Sequence, residues 1–415
     1  MRHWSPHWEK LVLNYLGFDL IKAGKDQIPA GKIKRLHKIF SAHDGYIHNN
    51  YTYGNNPDYR DAYLYYYLMA NMPKVVYVVH ELVSFLKKSD TKWNRAFPMN
   101  SKSDQRTGTT HEKSLKHLKI LDLGSGPGTA SLGAIIAFYQ CNEIRFNIDI
   151  TCVDKSGSFL KAASEISNIF RDFTFIKGKT ETVRFNFDKK FYQRKQHRYD
   201  LVFLTNVLSE IESDNQAERI VKMACNHLNN NGFLVLISPA FKRTSRRLSQ
   251  IRDKLIFNGY HLIAPCPGQY KCPIIKNKND WCHHRLFWTQ PPFMKKIDSK
   301  TGFHNSFLNF SYFVFSPKQS TIIPQTSRGK HSSHYFLLIS EVKSLKNGWY
   351  AYLCGGDNQF RIFLDKNNLN LRNEIFVNLN RYDQIMIDNF EISKNEIQIR
   401  AESSIIQLKN WQKIS

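Results

Sequence analysis

The chain has 415 residues, 42% of them apolar, which leaves room for about two or three ordinary globular domains. Fifty-nine Lys and Arg against 35 Asp and Glu give a formal net charge of +24, which argues for a polyanionic partner, nucleic acid ahead of an anionic membrane surface. No apolar run of about 18 residues could span a bilayer, seven cysteines are too sparse for a secreted disulfide scaffold, and residues 1–10 show neither a signal-peptide core nor an Arg-rich, acid-free presequence, so a reducing cytoplasm is expected.

Residues 1–88 are expected to be helical. Trp8, Leu11, Val12 and Tyr15 repeat at helical spacing, and Pro73 fits the first turn of a helix carrying Val75, Val76, Val79, Leu82, Val83 and Leu86. The tyrosines crowding this region, Tyr53, Tyr59, Tyr63, Tyr65, Tyr66 and Tyr67 among them, are read as aromatic packing ahead of a base-stacking surface. Residues 89–116 are polar and aperiodic, a linker. Over 117–318 strand and helix patterns alternate: strands at 119–123, 148–153, 173–176, 201–204, 233–237 and 310–315, helices at 129–139, 159–170, 217–228 and 242–257. This predicts an α/β domain with a doubly wound, Rossmann-type parallel sheet. A cysteine-rich insert at 262–300 interrupts the alternation, and short strands from 330 to 415 predict a small, antiparallel β-domain.

The first strand runs into Asp122-Leu123-Gly124-Ser125-Gly126-Pro127-Gly128. Glycines there allow a tight turn and close backbone approach, so that a ligand can lie against the amino end of the next helix. The G-x-G-x-G spacing preceded by Asp122 differs from the dinucleotide pattern and matches S-adenosylmethionine enzymes of the Rossmann type, so Asp122, Gly124, Gly126 and Gly128 are expected to bind the cofactor. Asp154, 26 residues beyond Gly128 at the end of the second strand, is placed to accept hydrogen bonds from ribose hydroxyls. After the fourth strand, Leu204-Thr205-Asn206-Val207-Leu208 lacks both the Asn/Asp-Pro-Pro-aromatic motif of amino-group methyltransferases and the cysteine of cytosine-C5 enzymes. Asn206 and Glu210 are expected to line the pocket, and no catalytic residue is recognisable.

Cys266, Cys272 and Cys282 are separated by five and nine residues, with Pro267, Gly268 and Pro273 favouring a chain that loops around one centre. Structural zinc sites use tighter Cys-x-x-Cys pairs, and ferredoxin-type runs are tighter too. From spacing, zinc and an iron–sulfur cluster stand about equal. Cys354 is the natural fourth ligand and His283 its competitor, and unconnected buried thiols are the plain alternative. Cys141, Cys152 and Cys225 read as small buried hydrophobes.

Taken together, the loop at 121–128, Ala264-Pro265-Cys266-Pro267 with Cys272-Pro273, Asp280-Trp281-Cys282-His283 and the later Leu353-Cys354 resemble the methyltransferase-like small-subunit ribosome assembly factors of mitochondria and bacteria (Rsm-type) over roughly residues 60–360. The resemblance implies a [4Fe–4S] cluster on Cys266, Cys272, Cys282 and Cys354, an S-adenosylmethionine pocket, and binding to the small ribosomal subunit and its rRNA. It implies a methyltransferase fold whose transfer activity is in doubt. It also makes the mitochondrial matrix the alternative to a bacterial-type cytoplasm, with a monomer the expected state. Gly268 departs from the histidine that usually follows the first Cys-Pro. The competing readings are an active rRNA methyltransferase and a zinc-stabilised RNA-binding protein.

The helix predicted at 242–257 carries Lys242, Arg243, Arg246, Arg247, Arg252 and Lys254. Arg243, Arg246 and Arg247 share a face at i, i+3, i+4 spacing, and with Lys242 they are the expected phosphate contacts, which set affinity without reading sequence.

Overall fold

The computed structural model describes residues 4–18, 28–41, 53–87, 115–141, 145–187, 198–317, 335–356 and 358–409. The chain forms two compact units, one of His3–Leu248 with His283–Ile322, the other of Met1–Arg2, Ser249–Cys282 and Ile323–Ser415. Nearly all of the linker expected at 89–116 lies outside the described residues.

In the first unit α1 (Pro6–Tyr15) is capped by Ser5, whose hydroxyl accepts from the His7 amide, with Pro6 in the first turn where its missing N–H costs nothing. After α2 (Ala30–Ser41), α3 (Pro57–Ala62) runs through a π-helical turn, Tyr63–Leu68, straight into α4 (Met69–Lys87). Pro73 therefore sits inside a helix, not at its first turn. It has no N–H for the carbonyl four residues back, and the widened π turn directly upstream is where the hydrogen-bond ladder changes register. The expected apolar stripe is buried, Val75, Val79, Leu82 and Leu86 among it.

The sheet of this unit is built from β1 (Leu115–Leu123), β2 (Arg145–Asp154), β3 (Thr180–Arg184), β4 (Tyr199–Thr205) and β5 (Leu228–Pro239), with α5 (Thr129–Tyr139), α6 (Gly157–Thr174) and α7 (Asp214–Asn226) between them. Near-continuous apolar runs such as Leu201–Leu204 and Phe233–Ile237 are buried on both faces, as parallel strands covered by helices must be. β1 pairs in parallel with β2 on one side and β4 on the other, β2 with β3, and β4 with β5. The order β3-β2-β1-β4-β5 puts the reversal of winding between β1 and β4, the place where doubly wound sheets bind ligands. Beyond α8 (Lys242–Phe257) the chain leaves through β6 (His261–Ala264) and returns with β7 (His284–Phe287), α9 (Pro292–Thr301) and β8 (Phe307–Ser316). β8 lies antiparallel on β5, and β7 on β8.

One strand was misplaced by pattern: residues 173–176 are not a strand but the end of α6 and its exit, with Phe175 left-handed at φ 56°. Phe170 and Thr174 continue the buried face of α6, while Phe173 and Phe175 are exposed, and the third strand begins at Thr180.

The second unit holds a small barrel of β9 (Tyr335–Leu338), β10 (Lys343–Leu345), β11 (Gly348–Gly355), β12 (Asn358–Asp365), β13 (Gln384–Ser393) and β14 (Glu396–Lys409). β9 pairs with both β11 and β13, so β9-β11-β12-β14-β13 closes on itself. The expected antiparallel arrangement holds except between β12 and β14, which run parallel. Phe336, Leu338, Leu353, Ile362, Ile385 and Ile397 are among the side chains that fill the interior. Among the described residues no helix is long and apolar enough to cross a membrane.

Candidate cofactor cleft and cysteine group

A cleft of about 760 Å³, counted to its open mouth, lies at the carboxyl ends of β1 and β4. Gly124, Gly126 and Gly128 all have positive φ (70°, 52° and 86°), which makes the loop after β1 affordable only to glycine. A Cβ on Gly124 would stand 2.3 Å from Val207, so the loop packs against the segment after β4, whereas a Cβ on Gly126 meets nothing within 4 Å and would project into open space. Gly128 caps α5.

Asp154 closes the loop from below the cleft. Its Oδ2 accepts from the Gly126 amide at 2.9 Å and its Oδ1 from the Ser156 amide at 2.8 Å. A carboxylate has about four lone-pair sites, so acceptor capacity remains on the cleft side; burial pushes its pKa up against those two amides. Asn206 ends β4 in the left-handed region at φ 62° and, with Glu210, lines the cleft. Asp122 does not reach it. Buried beneath the loop, its Oδ2 accepts from the amide and hydroxyl of Ser131 at 3.1 and 2.8 Å, while Oδ1 has no partner among the described residues. Burial raises this carboxyl to about 7.

The far wall comes from residues that sequence reading assigned to packing. Tyr53 donates to Glu210 at 2.8 Å, and Tyr53, Gly54 and Tyr63 face Phe159 and Ser156. Gly54 leaves no room for a Cβ, which would stand 2.5 Å from the Phe159 ring. The only hint in the sequence was the tyrosine density.

The four cysteines all belong to the second unit and are brought into one another's electrostatic field: the Cys354 thiol feels Cys266, Cys272 and Cys282. Burial first, and then repulsion from neighbouring thiols, pushes Cys272 up to about 11 and raises Cys282 and Cys354, while Cys266 is raised chiefly by burial. His283, the rival fourth ligand, falls in the other unit. Two groups support the cysteines. Arg252, fully buried, donates to the Tyr270 carbonyl at 2.6 Å and to Asp253, and its positive charge opposes the upward shift of Cys266. Asp253 in turn accepts from the Cys272 amide at 3.0 Å. The buried hydroxyl of Tyr270 has no hydrogen-bond partner among the described residues and sits in the field of Cys354, Cys266 and Cys272. Gln384 of β13 donates to the Pro265 carbonyl at 2.8 Å, fastening the loop to the barrel. Among the described residues, however, no three His, Cys, Asp or Glu side chains are grouped as ligands of a single metal ion.

The expected basic face is divided. Lys242 and Arg243 are exposed and Arg246 is half-buried, but Arg247 is turned inward. It donates to Asp214 at 2.6 Å, to the carbonyls of Leu208 and Glu212 at 2.8 Å each, and to that of Ile211. Its donors are spent on the segment after β4, so it is not a phosphate contact; Arg252 is lost to the basic face in the same way.

Residues 110–320 match the model of the family described as mitochondrial small ribosomal subunit Rsm22. The chain belongs to this family. Two mitochondrial proteins of Schizosaccharomyces pombe, Rsm22-cox11 tandem proteins 1 and 2, are each 24% identical to it over 240 residues, 54% of this chain and 27% of theirs. The chain thus spans about a quarter of the length of these relatives. Among solved structures it is similar to a SAM-dependent methyltransferase from Geobacter sulfurreducens in complex with S-adenosyl-L-homocysteine (12% identity, 48% of this chain and 85% of that one, TM-score 0.28). A TehB-like SAM-dependent methyltransferase from Corynebacterium glutamicum overlaps at 14% identity over 48% of this chain and 80% of its own, with a TM-score of 0.26. The fold assignment rests on the strand order and the Rsm22 match.

Proposed function

We propose that this Rsm22-family protein is a small-subunit rRNA-binding assembly factor whose methyltransferase-like domain holds S-adenosylmethionine and whose cysteines hold a [4Fe–4S] cluster. The family match across 110–320 carries the reading. It favours the mitochondrial matrix, the alternative to the cytoplasm expected from the amino terminus. In the cleft, Asp154 would take the ribose hydroxyls and Gly126 would let the ligand approach the backbone, with Asn206 and Glu210 on the β4 side. The bound group supplies a sulfonium methyl. What this chain's residues would do is bind and enclose it; the segment Thr205-Asn206-Val207-Leu208 at the end of β4 carries neither the Asn/Asp-Pro-Pro-aromatic motif nor a cysteine.

For the cysteines, Cys266, Cys272, Cys282 and Cys354 are the ligand set. A cube of iron and sulfide would hold its thiolates farther apart than a tetrahedral zinc ion, whose Zn–S bonds are near about 2.3 Å, and among the described residues no three ligands are grouped for a single ion. Such a cluster with four thiolates is net negative, which buried Arg252 offsets, and the Tyr270 hydroxyl gains an acceptor. Lys242, Arg243 and Arg246 remain as phosphate contacts.

The test is calorimetric binding of S-adenosylhomocysteine to the full chain and to Gly126→Val. The valine side chain enters the open cleft and also strains a backbone held at φ 52°, so binding should fall at least about ten-fold, and the urea midpoint of the variant, measured beside it, separates a blocked cleft from a lost fold. No binding by the wild-type chain, or equal binding by both, would remove the cofactor reading.

A further inference from the structure

The barrel of the second unit presents an unusual outer face on β11 and β12. In barrel order the strands run first (β9), second (β11), third (β12), fifth (β14), fourth (β13) and back to the first, with third and fifth parallel. That is the connectivity of the OB-fold, whose second and third strands present a face to oligonucleotides or oligosaccharides. Fold analogy alone assigns nothing, so the side chains on that face must decide.

Along β11 the inward positions are Ala351, Leu353 and Gly355, all buried, which turns Tyr350, Tyr352 and Cys354 outward. On β12 the buried positions Phe360, Ile362 and Leu364 leave Gln359, Arg361 and Phe363 outward. Register sets these side chains directly across from each other, Tyr350 beside Phe363, Tyr352 beside Arg361 and Cys354 beside Gln359. Tyr352 is 46% exposed. The Arg361 guanidinium lies 5.0 Å from the Tyr350 ring centre and 5.7 Å from that of Phe363, held in place by Glu396 at 2.8 Å. Lys343, paired with Tyr350 through β10, and Lys346 are exposed beside the strands.

A solvated sheet face spends its outward positions on Lys, Glu and Thr. Three aromatic rings and a pre-stacked guanidinium flanked by lysines are instead what a flexible polyanion with flat bases needs. We infer that the outer face of β11 and β12 is a stacking platform for single-stranded RNA, with Tyr350, Tyr352 and Phe363 taking bases and Arg361, Lys343 and Lys346 tracking the backbone. A sugar chain would use such rings too, but gains nothing from the cations. The platform rests on the RNA-binding reading and not on the cofactor cleft. It selects single strands, because a base must be unstacked to lie on a ring.

The experiment is fluorescence anisotropy of the full chain with labelled decauridylate, competed by an unlabelled duplex of equal length. Tyr352→Leu should weaken decauridylate binding about ten-fold and Tyr350→Leu/Tyr352→Leu further, with the salt dependence of binding unchanged because no charge is lost, while Tyr352→Phe binds as wild type. Joint Lys343→Gln/Lys346→Gln substitution should instead flatten the salt dependence. The inference is overturned if the double leucine variant binds decauridylate as tightly as wild type, or if the duplex competes as well as the single strand. It is also overturned if the tyrosine variants change only the self-association of the chain in sedimentation, which would make the face a contact between copies. Failure of the wild-type chain to bind any RNA would fall on the RNA-binding reading itself.

Discussion

Asp122 is the residue whose sequence role and structural role differ most. It opens the glycine loop in the primary structure, yet it is sealed under that loop with one oxygen bonded twice to Ser131 and the other without a partner among the described residues. Its pKa rises from 3.8 to about 7 because burial disfavours the charge, and the Ser131 bonds only partly counter that. The folded state therefore holds this proton more tightly than the unfolded chain does. The resulting stability is complete below about pH 4 and is lost as pH climbs through 7. Asp122→Asn keeps the shape and removes the titration, so urea unfolding at pH 5 and pH 8 should show the variant losing about 2–3 kcal/mol less than wild type across that interval. Glu9, raised to about 7 chiefly by burial, contributes the same slope to both proteins and cancels. Identical slopes would mean Asp122 is ionised at its ordinary pKa.

At the level of elements, helix α8 shows what periodicity can and cannot say. Its span, Lys242–Phe257, was legible to the residue, but the i, i+3, i+4 rule groups Arg247 with Arg243 and Arg246 without saying which edge of the stripe meets the protein. Arg247 lies on the buried edge and ties down Leu208, Ile211 and Glu212, on either side of the Glu210 that lines the cleft. Arg247→Ala should therefore cost about 2–4 kcal/mol of stability and weaken S-adenosylhomocysteine binding, while RNA affinity and its salt dependence stay put; Arg243→Ala should do the reverse. Filter binding and calorimetry on the two variants separate the roles. The buried parallel strands were similarly readable because their apolar runs are bounded by polar turns. The third strand was not, since Thr180–Arg184 alternates weakly and the more apolar Phe173–Ile176 lay just ahead of it. Tyr53 was invisible as a site residue because its partner Glu210 is 157 positions away and no local rule links them.

On the scale of the whole molecule, the chain is divided in a way its linear order hides. The segment read as an insert within one domain is shared out, residues up to Cys282 going with the carboxy-terminal barrel and those from His283 with the parallel sheet. The candidate cysteines could be picked out because proline and glycine lie near them, but their common unit could not, since it depends on long-range packing such as Gln384 against Pro265. This division makes a prediction. Cys354→Ser should abolish iron and sulfide in anaerobically purified protein and loosen the loop around Cys272, while S-adenosylhomocysteine binding in the separate sheet unit persists. Metal and sulfide analysis beside calorimetry reads both; an equimolar zinc content in wild type would replace the cluster with a single ion.

Cys282 and Cys354 are 72 residues apart in a chain made from one end to the other. Three thiols thus leave the exit tunnel well ahead of the strand that bears the fourth, and ahead of the Gln384 that pins their loop. A nascent polypeptide halted near residue 320 would present an unfinished thiol set, open to oxidation or scavenged metal. If these cysteines hold the proposed cluster, it can be completed only after the strand bearing Cys354 has been made, so loading would follow synthesis of the barrel and not accompany that of the loop.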